Sequence, residues 1–168
     1  CVAAYDRFNN ESNYACSEAS EMVTINFSLH DGPNLISYSA LPLDVGLDNM
    51  FSSLEDDIYG VVTEGQSAVR ISNLGIWVGS LTEIISTNGY WVILDLDDIF
   101  AEENYEVLGF PIDSNLQYQL EEGANLISYV GSNNVPLNNA LSDDIEPYVT
   151  DIIAEGNAAY NHPLAGWL

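Results

Sequence analysis

The sequence predicts an α+β protein built from two tandem β-rich units. Each is made mostly of antiparallel strands with one short helix, and the second lacks its last strands. Three observations predict this. The pentapeptide NLISY stands at residues 34–38 and again at 125–129, 91 positions further on. Sliding the chain by that offset aligns residues 32–69 with 123–160 without a gap. Gly32, Asn34, Leu35, Ile36, Ser37, Tyr38, Glu55, Glu64, Gly65 and Ala68 each meet an identical residue. Around both copies, alternation of period two flanks a stretch of helical period. Low-complexity sequence can mimic a repeat, but here order and spacing are both kept. The expected organisation is an N-terminal segment over residues 1–22, a first unit over 23–112 and an incomplete second unit over 113–168.

The elements follow in order. INFSLHDG and LQYQLEEG alternate apolar and polar residues, the pattern of a half-buried strand running into a glycine turn. NLISY reads as a short apolar strand covered on both faces. In the first unit Leu47, Met50, Phe51 and Leu54 then fall on one helical face. In the second, Pro136 suits the start of a helix, with Leu137, Leu141, Ile145 and Tyr148 along one side. IYGVVTEG and VTDIIAEG return as strands, each stopped by Glu-Gly. Dropping one residue near Arg70 brings LGIW (74–77) onto LAGW (164–167). The first unit continues through SAVRIS, GIWVGSLTEI and GYWVILDLD, whereas the second stops at Trp167 and Leu168. A missing core strand leaves an open edge with unpaired backbone groups. A shortened chain, a dispensable segment, or a strand supplied by another molecule through β-augmentation would each account for it. Between the units, residues 95–115 are acidic with a Gly-Phe-Pro turn and no long linker, so the units are expected to sit close together.

Composition excludes several partners. There are 26 acidic residues against two basic ones, Arg7 and Arg70, for a net charge of −24. Nucleic-acid affinity rests on Lys and Arg neutralising phosphates, so this field repels DNA and RNA. Anionic membrane surfaces are excluded on the same ground, and no apolar run is long enough for a membrane span. The acidity suits a hydrated surface in a screening, salty medium; alternatively some carboxylates collect Ca²⁺.

Cys1 and Cys16 are the two cysteines, both ahead of the repeated region. Their spacing suits a local disulfide and hence an oxidising, extracytoplasmic setting. Cys1 as the acylated cysteine of a lipoprotein is the alternative, which would leave Cys16 unpaired. Asn10-Glu-Ser and Asn26-Phe-Ser fit the N-glycosylation pattern, a short and common one.

Taken in order, Gly32, residues 34–37, Glu64-Gly65, residues 77–82 and residues 89–91 spell G-x-N-L-I-S, E-G, W-V-G-S-L-T and G-Y-W. The second unit offers Gly123, residues 125–128, Glu155-Gly156 and Gly166-Trp167. This set resembles tandem modules of large secreted and cell-surface proteins of aquatic bacteria, over about residues 25–168. The resemblance implies an extracellular, non-catalytic structural or adhesive repeat of a surface protein, filament or particle appendage. The partners expected from the broken second repeat are neighbouring modules of the same protein or further copies, with strand addition as one mode; the aromatic residues leave a glycan as an alternative ligand. The resemblance brings no catalytic residues with it.

The chemistry-bearing residues are weighed against that frame. His30 and His162 read as lone loop histidines, and no zinc-protease, nucleophile-elbow or phosphate-loop motif is present. Glu64 and Glu155, each before a glycine, are candidates for a glycan-cleaving carboxylate pair or for turn-holding roles duplicated with the fold. Asp95, Asp97 and Asp98 form the densest acidic cluster. On a strand, Asp95 and Asp97 would share a face and present oxygens to Ca²⁺, although no calcium-loop pattern is matched. Trp77, Tyr90, Trp91 and Trp167 would stack on sugars in a carbohydrate-binding module or fill a core. The expected outcome is a non-enzyme, with a carbohydrate-binding module and then a glycan-acting hydrolase as alternatives.

Overall fold

A computed structural model describes residues 21–54, 56–131 and 135–168. The proposed Cys1–Cys16 disulfide lies outside the described residues. Every strand pairing is antiparallel. The protein is β-rich with few short helices, as its alternating segments predict.

Strand β1 (Val23–His30) is followed by β2 (Gly32–Ile36) and the short β3 (Ala40–Leu41). Helix α1 (Leu47–Met50) runs into a 3₁₀ turn at Ser52–Leu54. Together they bury Leu47, Met50, Phe51 and Leu54, the four residues of the expected apolar face. β4 (Ile58–Thr63), β5 (Gln66–Ile71) and β6 (Ile76–Gly79) form a meander. β7 (Tyr90–Leu94) then returns to lie between β2 and β4, giving the order β2-β7-β4-β5-β6. β8 (Glu102–Pro111) pairs with β1 over residues 102–109 and with β3 at Phe110 and Pro111.

β8 is the longest strand, and it corrects the reading of residues 95–115 as an acidic connection. Its exposed positions carry Glu102 and Glu106, while Tyr105 and Val107 are buried. The acidic half of the alternation hides an ordinary half-buried strand. One core cluster lies between the β1-β8-β3 and five-stranded sheets, with the α1 region covering it. Its centre is aromatic. Phe27 stacks on Tyr105, Tyr105 on Phe51, and Tyr38 meets Tyr90 edge-on. The Tyr38 and Tyr105 hydroxyls lie 3.1 Å apart, and Tyr105 donates to the Met50 carbonyl at 2.9 Å, so these buried phenols are satisfied. Burial pushes both phenols far above their ordinary range.

The C-terminal part is sparser. Helix α2 (Leu137–Ala140) follows Pro136 directly and buries nothing. After a 3₁₀ turn at Glu146–Tyr148, β9 (Asp151–Ala154), β10 (Asn157–His162) and β11 (Gly166–Trp167) form a meander in the order β11-β10-β9. Ala154 faces Asn157 across the β9–β10 turn, as Thr63 faces Gln66 across β4–β5. Trp167 lies opposite Asn161, and Trp77 lies opposite Arg70. The turn between these pairs is one residue shorter in the C-terminal meander, where the alignment needs its single gap. The turn glycines Gly65 and Gly156 take φ of 73° and 70°, a left-handed conformation that glycine adopts without steric cost.

Two expected strands do not form. Residues 116–121 are irregular, and residues 125–129 make only an isolated bridge, from Ile127 to Asn88. The physical reason is pairing. β1 is held by β8 and β2 by β7, and no described strand lies in the matching place beside residues 116–121 or 125–129.

Candidate functional site

The residues that sequence alone marks out converge where the N-terminal and C-terminal parts meet. Asn34 and Asn125 organise the two loops involved. Asn34 Oδ1 accepts from the His30 amide, and its Nδ2 donates to the His30 and Gly32 carbonyls. Asn125 makes the same three bonds, with Glu121 in place of His30 and Gly123 in place of Gly32. An asparagine side chain that bonds its own turn in this way fixes the bend before an extended segment.

The two glutamates then cross over. Glu64 Oε2 accepts the Leu126 amide at 3.0 Å, and Glu155 Oε2 accepts the Leu35 amide at 2.7 Å. Each carboxylate ending a meander strand therefore holds the leucine amide of the NLISY segment in the other part. A carboxylate accepting a backbone N–H is among the stronger hydrogen bonds available. The contact continues along residues 126–129. Gly89 N donates to Leu126 O at 3.1 Å, and Ser128 N donates to Thr87 O at 3.0 Å. Ser128 Oγ donates to Ser86 O, and Tyr129 N donates to Ser37 Oγ. Thr63 donates to the Gly89 carbonyl at 2.8 Å, bracing this segment from the other side. A Cβ at residue 89 would lie 2.8 Å from the Ile127 carbonyl oxygen, so only glycine allows this approach.

His30 and His162 end strands rather than occupying loops. Half-exposed His30 bonds Asp31 O through Nδ1 and Glu155 through Nε2. A carbonyl and a carboxylate both call for an N–H donor, so the pair of contacts favours the imidazolium. The Asp31 carbonyl first, then Glu155, raises the His30 pKa. His162 Nδ1 instead accepts the Leu164 and Ala165 amides in its own turn.

An open groove of about 580 Å³ lies beside Glu64, floored by Tyr118, Glu121, Asn125 and Leu126. Its glutamate at position 64 is already engaged by Leu126.

The other candidates lie elsewhere. β7 ends at Leu94, so strand alternation does not reach Asp95 and Asp97. Asp95, Asp97 and Asp98 are exposed, and Asp98 Oδ1 accepts the Phe100 amide in a local turn. Among the described residues no three His, Cys, Asp or Glu side chains gather as a metal-binding group. Tyr90 is fully buried and bonds the Ile85 backbone, so it is not part of an exposed aromatic row. Trp77 packs on Phe51 under the Arg70 guanidinium, whereas the Trp167 indole donates to Glu146. No helix among the described residues is long and apolar enough to cross a membrane.

Sequence reasoning singled out the two glutamates and the NLISY segments, but not that they meet each other, nor the residues that brace the contact. Thr63, Ser86 and Thr87 carry no signal of their own, and Gly89 stands out only as the first residue of the G-Y-W motif. Comparison of the chain with family models, with curated proteins and with solved structures finds no match.

Proposed function

We propose that this chain is a non-catalytic structural or adhesive module of an extracellular surface protein, filament or appendage, formed from two copies of one ancestral unit held together through their NLISY segments. The observation that carries this reading is the crossed pair of bonds, Glu64 to the Leu126 amide and Glu155 to the Leu35 amide. The residues repeated most faithfully are engaged in holding backbone, which is what duplicated architecture requires and what a paired-carboxylate hydrolase does not. The matched Asn34 and Asn125 bonds support the duplication, and so does the common strand register of the two meanders. The resemblance to secreted repeat modules and the net charge of −24 support an extracellular, salt-screened setting.

Two measurements test it. An experimentally determined structure should superimpose the backbone of residues 32–69 on 123–160. Glu64→Gln and Glu155→Gln should lower stability and leave no turnover to lose on a panel of polysaccharides. Glycan cleavage by the wild-type chain that vanishes in Glu64→Gln would overturn the reading in favour of a hydrolase. For calcium, an added chelator should leave the melting temperature unchanged unless Asp95, Asp97 or Asp98 holds the ion.

A further inference from the structure

The two halves of the seam differ in one charge. On one half the Leu35 amide bonds Glu155 Oε2, and His30 bonds Oε1 of the same carboxylate. On the other the Leu126 amide bonds Glu64 Oε2, and the residue aligned with His30 is Glu121. Glu121 bonds Asn125 through its backbone alone. Among the described residues nothing bonds Glu64 Oε1 or the Glu121 carboxylate. Where one copy sets an N–H donor that can carry positive charge, the other therefore sets a second carboxylate.

Both carboxylates line the open groove of about 580 Å³ beside Glu64. That volume falls among ligand pockets, which run from roughly 300 to 1,000 Å³. The rest of its polar lining is uncharged, with Asn88, Gln117 and Gln119 offering amides. In the N-terminal copy the counterparts of the two glutamines, Asn26 and Ser28, lie within β1, where Ser28 donates to Glu102 of β8. Residues 116–121 form no strand, and here both glutamines border the groove instead. The Tyr118 hydroxyl lies 3.1 Å from Ser128 Oγ, which anchors that ring in the groove wall.

We propose that this groove binds an amino sugar, a glycan carrying a free, protonated amine. The ammonium sits between Glu64 and Glu121, and the ring hydroxyls meet Asn88, Gln117 and Gln119. This deepens the adhesive reading above by naming its ligand class, and it rests on that reading. The charge argument comes from the duplicate, since His30 is the group that answers this same carboxylate oxygen on the other half. Hydrogen bonds from a cation to a carboxylate are about twice as strong as neutral ones. An anionic sugar is repelled by the two carboxylates, and a neutral one leaves them unanswered. A lysine side chain answers them but offers nothing to the three amides. Tyr118 adds an aromatic face on which a sugar ring packs. The field of a chain with net charge −24 draws a cationic ligand inward.

The probe is the glucosamine trimer, titrated into isotope-labelled chain in about 0.15 M salt, which screens attraction to the rest of the surface. One trimer per chain should bind with a Kd below about 1 mM, shifting the amide signals of Asn88 and residues 117–121. The N-acetylated trimer lacks the charge and trilysine lacks the hydroxyls, so each should bind about tenfold more weakly or worse. Glu121→Gln and Glu64→Gln should each cost about tenfold in affinity. Glu155→Gln removes a charge at the matched place and should leave the Kd unchanged. Amide signals away from the groove show that each variant is folded; Glu121→Gln is the safer one, because its carboxylate holds nothing in the fold. Lack of saturable binding, equal binding of the N-acetylated trimer or trilysine, or shifts outside the groove would overturn the proposal. So would an unaltered Kd in Glu121→Gln, or an equal loss in Glu155→Gln, which would reduce the attraction to surface charge. If binding fails while Glu64→Gln still perturbs Leu126 and Glu155→Gln still perturbs Leu35, the ligand is wrong and the structural reading stands. Cleavage of a polysaccharide by the wild-type chain would sink that structural reading itself.

Discussion

Residues 23–112 and 113–168 share a sequence pattern, turn glycines and strand register, but among the described residues only the first shows a hydrophobic core. Leu54 is fully buried in the N-terminal part, and its counterpart Ile145 is half-exposed. Val62 is 37% exposed and its counterpart Ile153 is 74% exposed. Among the described residues from 113 onward, Ser128 alone is buried, and it is buried against the N-terminal part. The comparison separates two kinds of information. Turns, meander registers and the asparagine loops are written into a few neighbouring residues and form in both parts. Burial needs a second layer, which β1, β8 and the α1 region provide for the first sheet and which no described element provides for β9, β10 and β11.

The largest test of this contrast truncates aligned residues. Leu54→Ala removes a side chain from a close-packed cluster and should destabilise the protein by about 2–5 kcal/mol. Ile145→Ala at the matching place should lose under about 1 kcal/mol, since little burial is forfeited. Denaturant unfolding measures both. Equal losses would mean that the C-terminal part has a core of its own, and the comparison would break.

The next effect concerns the contact between the parts. Gly89→Ala sets a methyl against the Ile127 carbonyl and should release residues 126–128 from Ser86 and Thr87, an overpacking effect of about 1–3 kcal/mol. Because these groups sit at an edge, the loss should appear first as faster exchange of the Ser128 amide rather than as global unfolding. Intact protection of that amide in the variant would show that the approach at residue 89 is looser than described.

Glu64→Gln and Glu155→Gln sharpen the symmetry of the arrangement. Each keeps an acceptor oxygen but loses its charge, so each should weaken one leucine amide by about 1 kcal/mol at most, given the exposure of both side chains. The expected signature is crossed: the residue 64 variant perturbs Leu126, and the residue 155 variant perturbs Leu35. Uncrossed effects, each confined to its own part, would contradict the seam.

Much of this was legible in the sequence, for reasons that differ by residue. Repetition located Glu64, Glu155, Asn34 and Asn125, because a copied fold repeats the side chains that hold its backbone. The helical spacing of Leu47, Met50, Phe51 and Leu54 reported a local face that did become buried. β8 escaped because Glu102 and Glu106 read as charge before they read as the exposed side of an alternation, and Glu103 adds a charge on the opposite face. The irregularity of residues 116–121 was equally hidden. LQYQLEEG has the strand pattern, but a strand requires a neighbour, and neighbours are a long-range property. The crossing of the glutamates lay beyond reach for the same reason, as each carboxylate acts some 60 or more residues from itself in sequence.

The smallest expected effect is a pH dependence present on one side of the seam. His30 supports Glu155, while its counterpart Glu121 offers Glu64 no positive charge. The folded-state pKa of His30 is raised above about 6.5, its ordinary value. Its contribution is therefore fully present below the unfolded pKa and fades as pH rises through the folded one. The side chain is half-exposed and solvent-screened, so the dependence should register locally, at the Leu35 amide, more than in global stability. Raising the pH through the neutral range should speed exchange at Leu35 beyond the intrinsic base-catalysed trend and leave Leu126 on that trend. His30→Gln should make the two amides respond alike. A Leu126 response as large as that of Leu35 would place the titrating group elsewhere, and the asymmetry between the two halves of the seam would disappear.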